Sequence, residues 1–176
     1  MGLLSSKPSE LTIVHSVAYD VKTNERNVYH VVELSNRDIA YTISILVVID
    51  DPITFRKKKI LRFPLNPSHV YCVAQHRRLL LAGTFAKQVA MWDMYNGYCM
   101  VRCIEAEQEV YNILSWDNRF FVTSGGSISR IKVWNVLNGS LLIDIGPHNG
   151  NNTNHMIRMG DCIVSCGNGD PRLLFL

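Results

Sequence analysis

Short apolar runs separated by polar clusters fill the chain from Val28 onward, and their spacing predicts strands rather than helices. One set comprises Val70 to Ala74, Leu79 to Gly83, Val89 to Trp92 and Tyr98 to Ile104, divided by His76-Arg77-Arg78, Ala86-Lys87-Gln88 and Tyr95-Asn96-Gly97. The next comprises Val110 to Leu114, Phe120 to Ser124, Ile131 to Trp134 and Leu141 to Ile145, with Asp117-Asn118-Arg119, Gly125-Gly126-Ser127 and Asn138-Gly139 as turns. Asn-Gly is a strong hairpin signal because both residues tolerate positive φ. Nearly continuous apolar runs such as Phe120-Phe121-Val122 suit strands that are covered on both faces.

The sets repeat. Val28-Tyr29-His30-Val31, Val70-Tyr71-Cys72-Val73 and Val110-Tyr111-Asn112-Ile113 follow one another at steps of 42 and 40 residues. Trp92-Asp93 through Gly97 recurs as Trp134-Asn135 through Gly139, again at a step of 42. Two independent landmarks sharing one period indicate an array of four-stranded units rather than helical repeats. Upstream, Ile49-Asp50 stands 43 residues before Trp92-Asp93. There Val28 to Glu33, Asp38 to Thr42, Ser44 to Ile49 and Ile60 to Phe63 form a degenerate set with neither Trp nor hairpin glycine. Downstream of Gly146-Pro147-His148 and the polar loop Asn149 to Asn154 come Met156 to Met159, Cys162 to Cys166 and Arg172 to Leu176, a truncated set. The expected organisation is an N-terminal segment over residues 1–26, partly disordered or supplying a closing strand from Leu11 to Tyr19, then a repeat region over 27–176. The units of that region are expected at about 27–65, 66–105, 106–146 and 147–176.

Over residues 27–176, and most strongly over 70–145, the chain resembles the WD-repeat family, whose blades end their third strand in Trp-Asp. The resemblance implies an all-β chain forming a partial or small β-propeller of four-stranded antiparallel blades. It also implies a network of His, Ser, Trp and turn Asp that ties the strands of each blade. Trp92 with Asp93, Trp134 with Asn135, Ser124, Ser165 and His148 fall at positions of that network, while Ala86 and Ile128 replace the turn Asp. Two clear units, one degenerate and one truncated are few for a propeller ring, and uncovered strand edges are templates for aggregation. Three solutions stay open: a closed four-bladed ring, completion by another chain or by self-association, and a fragment or short isoform of a longer propeller. A partial propeller is preferred over the closed ring.

Composition changes this picture little. With 47% apolar and 19% charged residues the chain has enough apolar surface to fold, and a net charge of +3 gives no reason to expect nucleic acid. No apolar run is long enough to span a bilayer and Leu3-Leu4 is too short for a secretory signal, so the cytoplasm is expected, with the nucleus as alternative. The five cysteines lack disulfide or zinc-knuckle spacing and read as reduced thiols, so neither metal nor cofactor is expected. Met1-Gly2-Leu3-Leu4-Ser5-Ser6 matches the N-myristoylation pattern at Gly2, and a membrane partner is expected only if Gly2 is acylated. Arg56-Lys57-Lys58-Lys59 reads as a solvated hairpin tip.

Ser124 before Gly125-Gly126 lacks a nucleophile elbow, and no phosphate loop or dinucleotide fingerprint occurs, so no catalytic residue is assigned. What the resemblance implies is a non-catalytic scaffold or adaptor within a larger complex, binding protein partners through loops before the innermost strand and between the second and third strands. His69, Phe85, Lys87 and Arg130 are the expected contacts, because aromatic and Arg residues anchor interfaces. A nuclear or RNA-associated propeller is the alternative, and a propeller hydrolase ranks third.

Overall fold

The computed structural model describes residues 27–64, 68–126, 130–146, 152–168 and 170–175. Blade 1 consists of β1 (Val28–Glu33), β2 (Ile39–Ile43), β3 (Leu46–Asp51) and β4 (Arg56–Arg62). Blade 2 consists of β5 (Val70–His76), β6 (Leu79–Thr84), β7 (Gln88–Asp93) and β8 (Cys99–Glu105). Blade 3 consists of β9 (Asn112–Ser115), β10 (Phe120–Gly125), β11 (Arg130–Asn135) and β12 (Leu141–Ile145). Blade 4 contributes β13 (Asn152–Met159), β14 (Cys162–Asn168) and β15 (Asp170–Phe175). Strands pair antiparallel in chain order within each blade, and the first strands β1, β5, β9 and β13 stand beside one another in succession. The result is an all-β, four-blade propeller with no helix among the described residues.

The blades stack because their middle strands are apolar on both faces. Strand alternation sends Leu80 and Ala82 of β6 toward blade 1, where they meet Ala40, Val47 and Ile49, and sends Leu81 toward blade 3. On that second seam Leu81, Val89 and Met91 meet Val110, Phe121 and Trp134. A third seam joins Val122 and Ile131 of blade 3 to Met156 and Ile163 of blade 4. Full burial of each large apolar side chain contributes about 1.5–3 kcal/mol, so the seams supply much of the folding free energy. Gly83 permits the closest approach: a Cβ there would lie 2.4 Å from Val110 Cγ1 and 2.8 Å from Cys72 Sγ.

Polar links cross the same seams. Gln75 Nε2 donates to Ser35 Oγ at 2.7 Å, and the Ser35 amide donates to Gln75 Oε1 at 2.7 Å. His76 Nδ1 pairs with Ser115 Oγ at 2.9 Å, and Asn112 Nδ2 donates to the Thr153 carbonyl at 3.0 Å.

Some sequence expectations change. Arg56 to Lys59 lie on β4 rather than at a hairpin tip; the turn precedes them and exposes Ile53. Their alternation is hidden because β4 is the outer strand of its sheet, where charge on both sides blocks edge pairing. Lys58 reaches back to Asp38 at 2.6 Å and Asp51 at 3.5 Å. Ser44 is not in a strand but takes a left-handed conformation with φ 52 in the turn between β2 and β3. Asn152 and Thr153, expected in a loop, begin β13. The candidate strand Leu11 to Tyr19 and residues 149–151 lie outside the described residues.

Gly83→Ala should lower stability by about 1–3 kcal/mol, because neither seam wall can retreat without strain, and urea denaturation measures it. A midpoint equal to that of the parent chain would contradict the described packing. A second expectation concerns pH. Burial pushes the imidazoles of His30 and His76 below their ordinary value, so both are held neutral in the fold. The stability they contribute is complete above the ordinary pKa of about 6.5 and is lost as pH falls through their depressed folded values. The urea midpoint should therefore drop as pH falls below about 6.5, less steeply in His76→Gln.

Candidate functional site on the leading face

The end of the array where the inner strands begin is here called the leading face. The pairing of Val70 with Thr84 brings the β6–β7 hairpin to the same end. The Val-Tyr landmark buries Val70 and Val110 in the seams and, by alternation, leaves Tyr71 and Tyr111 half-buried beside them. Because successive inner strands are neighbours, Tyr29, Tyr71 and Tyr111 meet side by side. Tyr71 stands edge-on to Tyr29 at 4.9 Å and to Tyr111 at 4.8 Å between ring centroids. His69 lies 6.1 Å from Tyr29 and 6.2 Å from Tyr71, and Phe85 lies 6.3 Å from Tyr71. Such pairs contribute about 0.5–1.5 kcal/mol each beyond burial, so the five rings form a preorganised patch rather than loose side chains.

The local backbone fixes that patch. The Phe85 amide donates to the His69 carbonyl at 2.9 Å, which ties the hairpin to the segment before β5. Phe85 remains 49% exposed, enough ring surface to serve as an anchor. Lys87, exposed at the tip of the same hairpin, has φ 63, and its carbonyl accepts from the Ala106 amide at 2.7 Å. Burial, with the Glu109 charge behind it, pushes the Tyr111 phenol above its ordinary value, so this ring is a neutral donor.

Of the four expected contacts, the structure brings His69 and Phe85 together and sets Lys87 beside them. Arg130 stands apart: its Nε donates to Asp144 Oδ1 at 2.6 Å, turning the guanidinium toward β12. Its backbone is clamped by Gln108, whose Nε2 donates to the Arg130 carbonyl at 2.7 Å. Tyr29, Tyr71 and Tyr111 are the members that sequence reasoning missed, although their equal position in three repeats was the signal.

The blade-tying residues also differ from expectation in part. Trp134 Nε1 donates to Thr123 Oγ1 at 2.8 Å, a buried bond, whereas the buried Ser124 Oγ has no hydrogen-bond partner among the described residues. The reason is hairpin length. Leu80 pairs with Trp92 in blade 2 and Phe121 with Trp134 in blade 3, so the β10–β11 hairpin holds one more residue than β6–β7. Counting back from the tryptophan thus lands one residue late, on the opposite face of β10. Ser165 is buried opposite Met156, on the face toward blade 3. Trp92 packs edge-on against Phe63 at 5.5 Å. Asp93 Oδ1 accepts the Tyr95 amide at 3.0 Å, and the equivalent Asn135 Oδ1 accepts the Leu137 amide at 2.8 Å, so either residue caps the turn. The Arg78 guanidinium beside Asp93 holds its carboxyl below the usual carboxylate range. His148 and Gly2 lie outside the described residues.

No protein-family model and no curated protein matches the chain. Solved structures do. A crystal structure of the WD40 repeats of RRP9 superposes with a TM-score of 0.72 at 16% identity, covering 82% of this chain and 46% of that one. A chain of a mitotic checkpoint complex gives 0.70 at 15% identity, covering 81% of this chain and 44% of that one. The computationally designed Ika4 protein gives 0.69 at 18% identity, covering 89% of this chain and 94% of that one. The fold is therefore that of WD40 propellers, and the chain spans less than half the length of the first two structures.

Thr123→Val should cost about 1–3 kcal/mol by stranding the buried Trp134 indole N–H, while Ser124→Ala, which removes an orphaned hydroxyl, should be neutral or stabilising. Thermal or urea denaturation of the two variants side by side checks this, and the reverse order of stabilities would contradict the assignment.

Proposed function

We propose that this chain is a non-catalytic interaction scaffold that docks protein partners on its leading face, acting within a larger assembly. The observation that carries the reading is the five-ring patch with Phe85 half-exposed and Lys87 at its edge. Rigid aromatic rings lose little conformational entropy on binding and anchor most interface hot spots. The propeller fold supports the same reading, since its blades hold rim loops at fixed spacing. The five cysteines are free thiols, which is compatible with a cytoplasmic or nuclear setting as part of the proposal. An RNA-associated role is the second reading, favoured by stackable rings beside a lysine.

Selection of peptides from a display library on the purified chain, followed by calorimetric titration, tests the proposal. Phe85→Ala should weaken the selected peptides about 30-fold, as loss of a hot-spot anchor worth about 2 kcal/mol requires, with Lys87→Ala weaker in effect and Arg130→Ala nearly silent. Circular dichroism should be unchanged in all three. Peptides that bind Phe85→Ala as well as the parent chain would place docking elsewhere. Tighter, steeply salt-dependent binding of a single-stranded RNA would favour the second reading.

A further inference from the structure

The opposite end of the inner strands holds a feature that the leading-face reading does not use. A cavity of about 690 Å³ opens on this trailing face between blades 1, 2 and 3. Val73 and Ala74 of β5 and Ile113 and Leu114 of β9 supply apolar wall, with His30, Ser35, Gln75 and Ser115 as polar lining. At its lip stand Arg37 and Arg77, both exposed, on the turns that join the first two strands of blades 1 and 2. Among the described residues neither guanidinium has an ion-pair or hydrogen-bond partner. Arg78, one residue on, is paired with Asp93 and is not part of the lining.

Backbone conformation sharpens the point. Arg37 has φ 71 and Arg77 has φ 54, the left-handed region where turns ordinarily employ glycine or asparagine. A left-handed non-glycine residue is strained, so two turns of this array each hold a long cation where glycine or asparagine would sit with less strain. Gln75 fixes the spacing of the pair: its side chain bonds Ser35 Oγ at 2.7 Å and the Arg77 carbonyl at 2.5 Å, tying both turns together.

We propose that this cavity is a docking site for an acidic peptide segment of a partner protein, with a carboxylate held between Arg37 and Arg77 and a neighbouring apolar side chain in the cavity. Apolar wall residues within reach of two cations at the lip fit a ligand whose charge and apolar surface alternate. Nucleic acid fits less well, because its continuous charge needs a run of free cations and the lining offers a single, half-buried ring, His30, for base stacking. Glu33, the one acid of the lining, leaves a net positive lip and disfavours peptides of uniform negative charge. The site stands independently of the leading-face patch.

Fluorescence anisotropy with the whole chain tests this, using a labelled peptide of alternating Glu and Leu, a matching Lys-Leu peptide and a labelled oligouridine. The Glu-Leu peptide should bind, more weakly as salt rises, and the Lys-Leu peptide should not. The double variant Arg37→Asn with Arg77→Asn should reduce that affinity at least about tenfold, as loss of charge-assisted bonds requires. Asn keeps the left-handed turns, so the variant folds and circular dichroism verifies it. Arg78→Asn and Phe85→Ala should leave this affinity unchanged, which separates the site from the leading face. Three results would overturn the proposal: no Glu-Leu binding, undiminished binding by the double variant, or oligouridine binding that alone depends on the two arginines.

Discussion

A β-sheet that is apolar on both faces has no stable place in water by itself, and every other property of this molecule follows from that constraint. Blades 2 and 3 expose almost none of Leu80, Leu81, Val89, Met91 or Phe121 because each face is another blade's cover. Stacking is therefore a condition of folding rather than a later assembly step. Blade 1 shows the same need on its far face, where Tyr41, Ile43, Leu46 and Val48 form a further buried set.

Stacking also decides where chemistry can be placed. Side chains in the seams are consumed by packing, so the strand ends and the outer strands β4, β8 and β12 are left to meet other molecules. Strand β5 illustrates the division: Tyr71 near its start belongs to the aromatic patch, and Arg77 immediately after its end belongs to the cationic lip. One strand thus delivers an apolar contact at one face and a charged contact at the other, with the distance between them set by strand geometry.

Much of this was legible in the sequence, and the failures have physical causes. The Trp92 and Trp134 landmarks with their turns revealed the repeat because seam packing and turn capping both demand recurring residue types. The first half of β4 was read as a hairpin tip, since β4 is an outer strand and exposed lysines on a strand look like lysines in a loop. Thr123 was passed over for Ser124 because one extra hairpin residue moves the hydroxyl to the other face. The tyrosine patch was visible as a repeated Val-Tyr but carried no meaning until the inner strands were known to be adjacent. Arg37 and Arg77 gave no signal at all, since left-handed geometry and a shared cavity belong to three dimensions.

Cys72 shows what the tight seam between blades 2 and 3 implies for reactivity. Its thiol lies against Gly83 and the Val110 carbonyl, fully buried, and burial pushes its pKa up to about 12. A thiol that is neither ionised nor reachable is chemically silent while the blades stay together. Cys99 and Cys162, by contrast, are exposed to reagents at all times. The chain thus contains its own clock for blade separation: with a reagent fast enough to outpace reclosing, the rate of Cys72 alkylation is the frequency with which this seam opens, and with a slower one it reports the open fraction.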